Sequence, residues 1–299
     1  MRAAVYRRYG PPEVVRIEDV PKPSPQAGDL LVKVCATTVA AGDWRMRRAD
    51  PAAARVYNGL FRPTRHRILG MELSGVIEAT GGDVSRFAAG DAVIVATDIG
   101  FGAHAEYVCV PEDGTVAAKP ETMSFEEAAA VCFGGLGALG YINGSSVRAG
   151  DRVLINGASG ATGSSALQLA VALGAEVTGV CSGRNLDLVR SLGAAHVIDY
   201  TEEDFTRGGP RYDLIFDAVG KTSRTRTRSA LAPGGTFATV MKGGASPKER
   251  AAGLAYLVEL IEAGKFRPVI DRVYPLDQIV EAHHLAESGH KVGSIVVTF

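Results

Sequence analysis

The sequence predicts an α/β protein made of two unlike regions, one mainly β and irregular, the other a doubly wound parallel sheet. Three observations carry that prediction. From the N-terminus to about Ser124, short apolar runs alternate with turn signals. Beyond Ser124, helix-like and strand-like segments alternate. Within that alternation an apolar strand runs into Gly157-Ala158-Ser159-Gly160-Ala161-Thr162-Gly163 and then into a helix-like stretch. Parallel neighbours need a long crossover, which a helix supplies, so the alternation implies a parallel sheet.

In the first region the strand-like runs are 2–6, 30–36, the glycine-punctuated 75–79, 92–96 and 105–110. Apolar and β-branched residues fill them, as a pleated, half-buried surface favours. Pro21-Lys22-Pro23-Ser24-Pro25, Gly28-Asp29 and Gly90-Asp91 supply turns between them. In the second region 125–141 is alanine-rich and helical, 152–156 is a buried-strand pattern and 163–173 is a helix. Strand 176–180, helix 186–192 and strands 197–198, 214–217 and 236–240 follow. After an amphipathic helix at 247–263, residues 267–275 are β-like again, followed by a His-rich helix and a terminal strand at 294–299 expected to rejoin the first region.

With 299 residues, 46% of them hydrophobic, the chain can bury one large core or two ordinary ones. A formal net charge of -1 and an isoelectric point near 6.6 give no long basic stripe to neutralise a phosphate backbone, so nucleic acid is not expected as a partner. No stretch is apolar enough to span a membrane and the first residues lack the apolar core of a signal peptide. No membrane partner is expected, and the cytoplasm is the default location. Cys35, Cys109, Cys132 and Cys181 lie far apart without Cys-x-x-Cys spacing, and are read as reduced, buried filler.

The glycine turn carries the chemistry. Val153-Leu154-Ile155-Asn156 leads into it and Ser164-Ser165-Ala166-Leu167-Gln168 follows. Glycine allows a tight turn and close approach of the backbone to a ligand, while the following helix presents free N–H groups and partial positive charge to a pyrophosphate. The alternative is a turn that only packs helix on strand. The next strand ends at Val180-Cys181-Ser182 with no carboxylate of the kind that meets the ribose hydroxyls of NAD. Ser182 and Arg184 stand there instead, suited to the 2′-phosphate of NADPH, unless Arg184 is only a solvated charge.

The chain resembles the medium-chain dehydrogenase/reductase superfamily, in its zinc-independent quinone oxidoreductase-like branch. The resemblance runs from Met1-Arg2-Ala3-Ala4-Val5 and Tyr9-Gly10-Pro11-Pro12-Glu13-Val14 through Ala40-Ala41-Gly42-Asp43-Trp44 and Leu69-Gly70-Met71-Glu72. It continues at Gly102-Ala103-His104-Ala105-Glu106-Tyr107, Asp199-Tyr200, Asp217-Ala218-Val219-Gly220 and Pro233-Gly234-Gly235. It implies a GroES-like domain from both chain ends (1–121 and 267–299), a Rossmann domain at 122–266, and a nicotinamide cofactor. It places Gly160, Ala161, Thr162 and Gly163 at the pyrophosphate, Tyr200 beside the adenosine, and Val219, Gly220, Val240 and Met241 near the nicotinamide or its ribose. Tyr200 is equally readable as a packing aromatic.

Zinc enzymes of the superfamily have Cys where this chain has Ala40 and His where it has Met71, and neither alanine nor a thioether serves a catalytic zinc. His283, His284 and His290 are read as a solvent-facing helix end rather than ligands, so no metal is expected. Asp43 matches the Asp of the branch's substrate-side loop, where it orients substrate or relays a proton, or else caps a short helix at 44–48. Tyr57 and His104 are further proton-donor candidates, His104 being also readable as a satisfied strand histidine, and Glu72 is read as a buried structural acid. The branch usually has Asn at position 40 and Thr at position 137, where this chain has Ala40 and Gly137.

Relatives carry a further loop and strand after 236–240, where this chain has only Met241-Lys242-Gly243-Gly244-Ala245-Ser246. Loss of the last sheet strand, and with it a pairing edge, implies a monomer or a non-standard dimer. The expected activity is NADPH-dependent, zinc-independent reduction of a quinone, enone or related carbonyl, a small-molecule substrate. A non-redox cyclase, isomerase or lyase on the same fold, and a cofactor-binding regulator without turnover, are the alternatives.

Overall fold

The computed structural model describes residues 1–240 and 247–299. In chain order its elements begin β1 (Arg2–Tyr6), β2 (Val15–Asp19), β3 (Asp29–Thr38), α1 (Ala41–Arg48), α2 (Ala54–Asn58), β4 (Glu72–Thr80), β5 (Ala92–Ala96), β6 (Tyr107–Pro111) and β7 (Thr115–Ala118). There follow α3 (Phe125–Ala129), α4 (Cys132–Gly144), β8 (Arg152–Asn156), α5 (Ala161–Ala172), β9 (Glu176–Cys181), α6 (Leu186–Ser191), β10 (His196–Asp199), β11 (Tyr212–Asp217) and β12 (Leu231–Thr239). The chain ends with α7 (Pro247–Glu262), β13 (Ile270–Pro275), α8 (Ile279–Glu287) and β14 (Ser294–Thr298). It divides into two units, Met1–Phe133 with Ile270–Phe299, and Gly134–Val269.

The first unit is a mainly antiparallel sheet in the order β13-β14-β3-β4-β5-β7, with β6 also on β3. The long strand β3 organises it: β4 pairs along its length, β6 along Asp29 to Lys33, and β14 against Ala36 to Thr38. Leu30, Val32 and Val34 alternate along β3 and pack with Leu73, Ile77, Val93 and Val95 into one buried cluster. Each such side chain contributes roughly 1.5–3 kcal/mol of burial. The strand β2 pairs with β1, Ala4 opposite Ile17, although its half-exposed, charge-rich Val-Arg-Ile-Glu-Asp does not announce a strand.

The second unit is a parallel sheet in the order β10-β9-β8-β11-β12. Strand order reverses at β8 and β11, and the carboxyl ends beside such a reversal form a crevice for ligands. Val153, Leu154 and Ile155 of central β8 are fully buried, as are Ala166, Leu167 and Ala170 of α5. The strand β12 starts earlier than its apolar run suggests. Its register on β11 jumps from Tyr212↔Leu231 to Leu214↔Thr236, so Ala232-Pro233-Gly234-Gly235 is absorbed as an irregularity. Among the described residues β11 is the one neighbour of β12, and the shortened segment at 241–246 lies outside those residues.

The single helix expected at 125–141 is two. Ala130 leaves helical geometry at φ -87°, ψ 5°, and α4 starts afresh as the Phe133 N–H donates to the Glu72 carboxylate at 2.6 Å. A tertiary acceptor thus replaces a helical one, which composition does not disclose.

Candidate active site

In the second unit the glycine turn joins β8 to α5. Gly157 has φ +82°, a left-handed conformation that favours glycine, and its N–H and that of Ala158 both donate to Val180 O at 2.9 Å, fastening the turn to β9. A Cβ on Gly163 would stand 2.0 Å from Gly157 O, so α5 approaches the turn as closely as a bare backbone allows. Gly160 is the N-cap of α5 and no side chain caps it. The first-turn N–H groups of Ala161, Thr162 and Gly163 therefore lack helical acceptors, which fits an anion such as a pyrophosphate.

The other residues expected at the cofactor lie at carboxyl ends of the same sheet. Ser182 and the exposed Arg184 follow β9, Tyr200 follows β10 with 61% of its surface exposed, Val219 and Gly220 follow β11, and Val240 follows β12. Met241 lies outside the described residues. Asn185, which the sequence did not single out, joins two of these groups. Its amide donates to Ser159 Oγ at 3.1 Å and to Ser182 Oγ at 3.2 Å. Asp199 brings a carboxylate near Gly183, whose added Cβ would meet Oδ2 at 2.4 Å, so the neighbouring strand supplies the acid that the end of β9 lacks.

A second unforeseen residue is Asp217, fully buried at the end of β11. It accepts from Asn156 Nδ2 at 3.0 Å, from the Val219 and Gly220 N–H groups at 3.1 Å each, and from the Thr222 N–H at 2.9 Å. These bonds fix the loop after β11, and Val219 leans over the turn, its Cγ2 2.5 Å from where a Gly157 Cβ would stand. The Asp-Ala-Val-Gly run was the available signal.

In the first unit Asp43 is fully buried in α1. One oxygen accepts from the Ala40 N–H at 2.7 Å and the other from the Gly70 N–H at 2.8 Å. It therefore ties together the two loops that carry positions 40 and 71. Burial raises its carboxyl above the ordinary range, while His104 and the two N–H groups pull it back. Of the two readings of Asp43, the carboxylate performs the capping one, accepting from the N-cap Ala40 N–H at the start of α1, and its full burial leaves no surface for a substrate to meet. His104 is likewise buried, its Nε2 2.9 Å from Thr38 O, the arrangement of a satisfied strand histidine. Tyr57 is half-buried, donates to Ile99 O at 2.9 Å and lies 3.2 Å from His66 Nε2, with the two rings stacked 5.3 Å apart.

Glu72 is buried as expected, accepting from Thr38 Oγ1 and the Phe133 N–H. Burial pushes its carboxyl up to about 7, against the pull of those two donors. Half-buried Lys291 lies in its field, and desolvation brings that ammonium down to about 8 while Glu72 and Asp271 push it back up. The solvent-facing reading of the histidines is corrected at one position. His284 is exposed and bonds Glu13 and His290 is exposed, but His283 is fully buried, its ring edge-on to His104 at 5.7 Å. Desolvation and the neighbouring His104 and Arg47 push the His283 pKa well below its usual value.

A zinc ion finds a poor donor set here. Ala40 offers none, the Met71 sulfur lies against Gly42, and both Glu72 oxygens are taken. Among the described residues no group of three or more His, Cys, Asp or Glu is arranged to hold a metal.

Family models place these features. Residues 26–121 match the alcohol dehydrogenase GroES-like domain, and 161–259 and 241–297 match two models described as zinc-binding dehydrogenase. The chloroplastic quinone-oxidoreductase QR1 of Triphysaria versicolor is 31% identical over 333 aligned positions, covering 99% of this chain and 98% of that protein. That alignment is longer than the chain of 299, so the relative carries segments with no counterpart here. A chloroplastic NADPH-dependent alkenal/one oxidoreductase of Arabidopsis thaliana is 28% identical, covering 99% of this chain and 79% of that one. The solved quinone oxidoreductase from Coxiella burnetii superposes with a TM-score of 0.88 at 30% identity, covering 100% of this chain and 99% of its own. A glycine turn opening onto a parallel sheet, a GroES-like sheet and full-length likeness at this level have one common source: the chain belongs to the medium-chain dehydrogenase/reductase superfamily of nicotinamide-dependent oxidoreductases, in its quinone oxidoreductase-like branch.

Proposed function

We propose that this chain is an NADPH-dependent, zinc-independent reductase of a quinone, enone or related conjugated carbonyl. The uncapped first turn of α5 behind Gly157 and Gly163 carries the reading, since it suits a bound pyrophosphate. Bound reduced nicotinamide supplies the hydride. Ala161, Thr162 and Gly163 hold the pyrophosphate through backbone N–H groups, Tyr200 flanks the adenosine, and the loop fixed by Asp217 presents Val219 and Gly220 to the nicotinamide end. Ser182, steadied by Asn185, and Arg184 recognise the 2′-phosphate, with Asp199 as the group that opposes it.

Reduction of a conjugated acceptor leaves an anion that is already delocalised, so the protein need only orient the acceptor and deliver a proton. Of the three side chains expected to handle that proton, Tyr57 alone reaches the surface, and its contact with His66 provides a partner for it. The donor set around Ala40 and Met71 supports a reaction without zinc.

Cofactor titration tests the preference. The full-length chain is expected to bind NADPH more tightly than NADH, and Arg184→Glu is expected to lower NADPH affinity on the order of tenfold or more while leaving NADH affinity in place. An unchanged preference would remove Arg184 from the site.

A further inference from the structure

The stretch from Trp44 to Gly70 holds Arg45, Arg47, Arg48, Arg55, Arg62, Arg65 and Arg67 against the single acid Asp50, in a chain whose formal net charge is -1. Arg47 and Arg48 are engaged by Glu287. Arg55, Arg62 and Arg65 are exposed, and no ion pair among the described residues uses them. Among these arginines stand large apolar side chains in water: Val56 is 82% exposed, Leu60 59%, Phe61 88% and, across the loop, Ile99 64%.

The tip that carries them is tightly braced. Asn58 is fully buried, accepts from the His66 N–H at 2.7 Å, and donates to His66 O and the Tyr6 hydroxyl, while Asn58 O receives the Thr64 N–H at 2.8 Å. Tyr9 OH donates to Gly59 O at 2.7 Å. Gly59 has φ +120°, and a Cβ there would stand 2.2 Å from Arg62 O. The guanidiniums of Arg55 and Arg65 lie over the rings of Tyr9 and Tyr57, 5.0 and 4.9 Å from their centroids, and Tyr57 OH bonds Ile99 O. Leu60 and Phe61 are thus held out on a preorganised loop between arginines, and little ordering entropy remains to be lost on binding.

The chemistry of this tip selects its occupant. Small ligands are taken up in concave sites that cover most of their surface, and these side chains protrude. A second copy meeting this face about a two-fold axis would set the same arginines against each other. An apolar tip ringed by cations matches a plane with negative headgroups above hydrocarbon. We propose that the tip is a peripheral membrane-docking surface, seating Leu60 and Phe61 in the interfacial layer of a bilayer rich in anionic phospholipid, with Arg55, Arg62 and Arg65 against the headgroups. This departs from the expectation of no membrane partner, because the lack of an apolar span excludes a crossing segment and not a surface contact. No helix among the described residues is long and apolar enough to cross a membrane, so the association is one of surface contact.

Co-sedimentation of the full-length chain with vesicles tests it, and needs neither cofactor nor turnover, so it stands or falls apart from the redox reading. Vesicles of phosphatidylcholine with phosphatidylglycerol are expected to carry the protein down, vesicles of phosphatidylcholine alone are not, and high salt is expected to release it. Arg62→Glu is expected to weaken partitioning about fivefold or more, and the pair Leu60→Ser with Phe61→Ser by at least about tenfold, with far-ultraviolet dichroism and turnover of a soluble quinone unchanged. Equal sedimentation with neutral and anionic vesicles overturns the proposal, as does wild-type binding by folded variants. Two further results would overturn it: the serine pair changing only the oligomeric state, which would mean a second copy covers the tip, or changing only KM for a soluble substrate, which would place the tip at the substrate's path.

Discussion

Two buried aspartates organise the two units, and they differ in what they hold. Asp217 gathers the Asn156 amide and three backbone N–H groups into one loop beside the glycine turn. Asp43 takes one N–H from each of two separate loops, at Ala40 and Gly70. The parallel-sheet unit is therefore shaped by backbone, with an acid fixing a loop among glycines. The GroES-like unit is shaped by side chains that bring distant segments together. Buried donors stranded without an acceptor cost more than a hydrogen bond contributes, so each aspartate acts chiefly by what its loss would strand.

The contrast is most easily broken at Gly163. Gly163→Val pushes the first turn of α5 off Gly157 O, and NADPH affinity by calorimetric titration is expected to fall on the order of 100-fold, with unit one unaffected. A variant that binds as wild type would mean the turn does not hold the cofactor. Next come the aspartates themselves. Asp217→Ala strands four donors and is expected to cost roughly 3 kcal/mol or more in denaturant unfolding, and Asp43→Ala, stranding two, about 2 kcal/mol. The reverse order would deny that the count of stranded donors sets the cost.

Glu72 gives the pH-dependent arm. Its carboxyl lies at about 7 in the folded chain against an ordinary 4.5, so across that window the folded state keeps a proton that the unfolded state has released. Stability from this group is full below about pH 4.5 and is lost as pH rises through about 7, amounting to about 3 kcal/mol. Glu72→Gln is expected to flatten that fall in midpoints measured across the window. An unaltered slope would assign it to other groups. The smallest effect is expected at Gly137, where a Cβ would meet nothing nearer than Thr162 Cγ2 at 3.8 Å. Gly137→Ala is expected to stabilise the helix by up to about 1 kcal/mol without loss of NADPH affinity, and weaker binding would show that the space beside Thr162 is used by the cofactor.

The sequence discloses the glycine turn and its parallel sheet well because their constraints fall on residue type. Only glycine fits at Gly157 and Gly163, and a strand before and a helix after leave periodic patterns. Asp217 and Asn185 stayed hidden because an aspartate or asparagine at a strand end is commonplace until the fold shows which donors it meets. In the other unit the sequence offered helix capping among the roles of Asp43 but not its bond to the Gly70 N–H, since that partner lies on a distant loop. His283 was misplaced for a related reason: a histidine beside charged neighbours suggests solvent, and the face of α8 that turns inward is decided by packing against His104. The break between α3 and α4 depends on Glu72, 61 positions before Phe133 and beyond the reach of local propensity.

The central claim is that the fold brings NADPH to a conjugated acceptor without zinc. Its most direct test is NADPH consumption by the purified full-length chain after exhaustive chelation, with and without a soluble quinone or enone. The account predicts acceptor-dependent oxidation of NADPH that chelation does not lower and that Gly163→Val sharply slows at subsaturating NADPH. Binding of NADPH with no oxidation across a broad panel of such acceptors, or oxidation that returns only when zinc is restored, would contradict it.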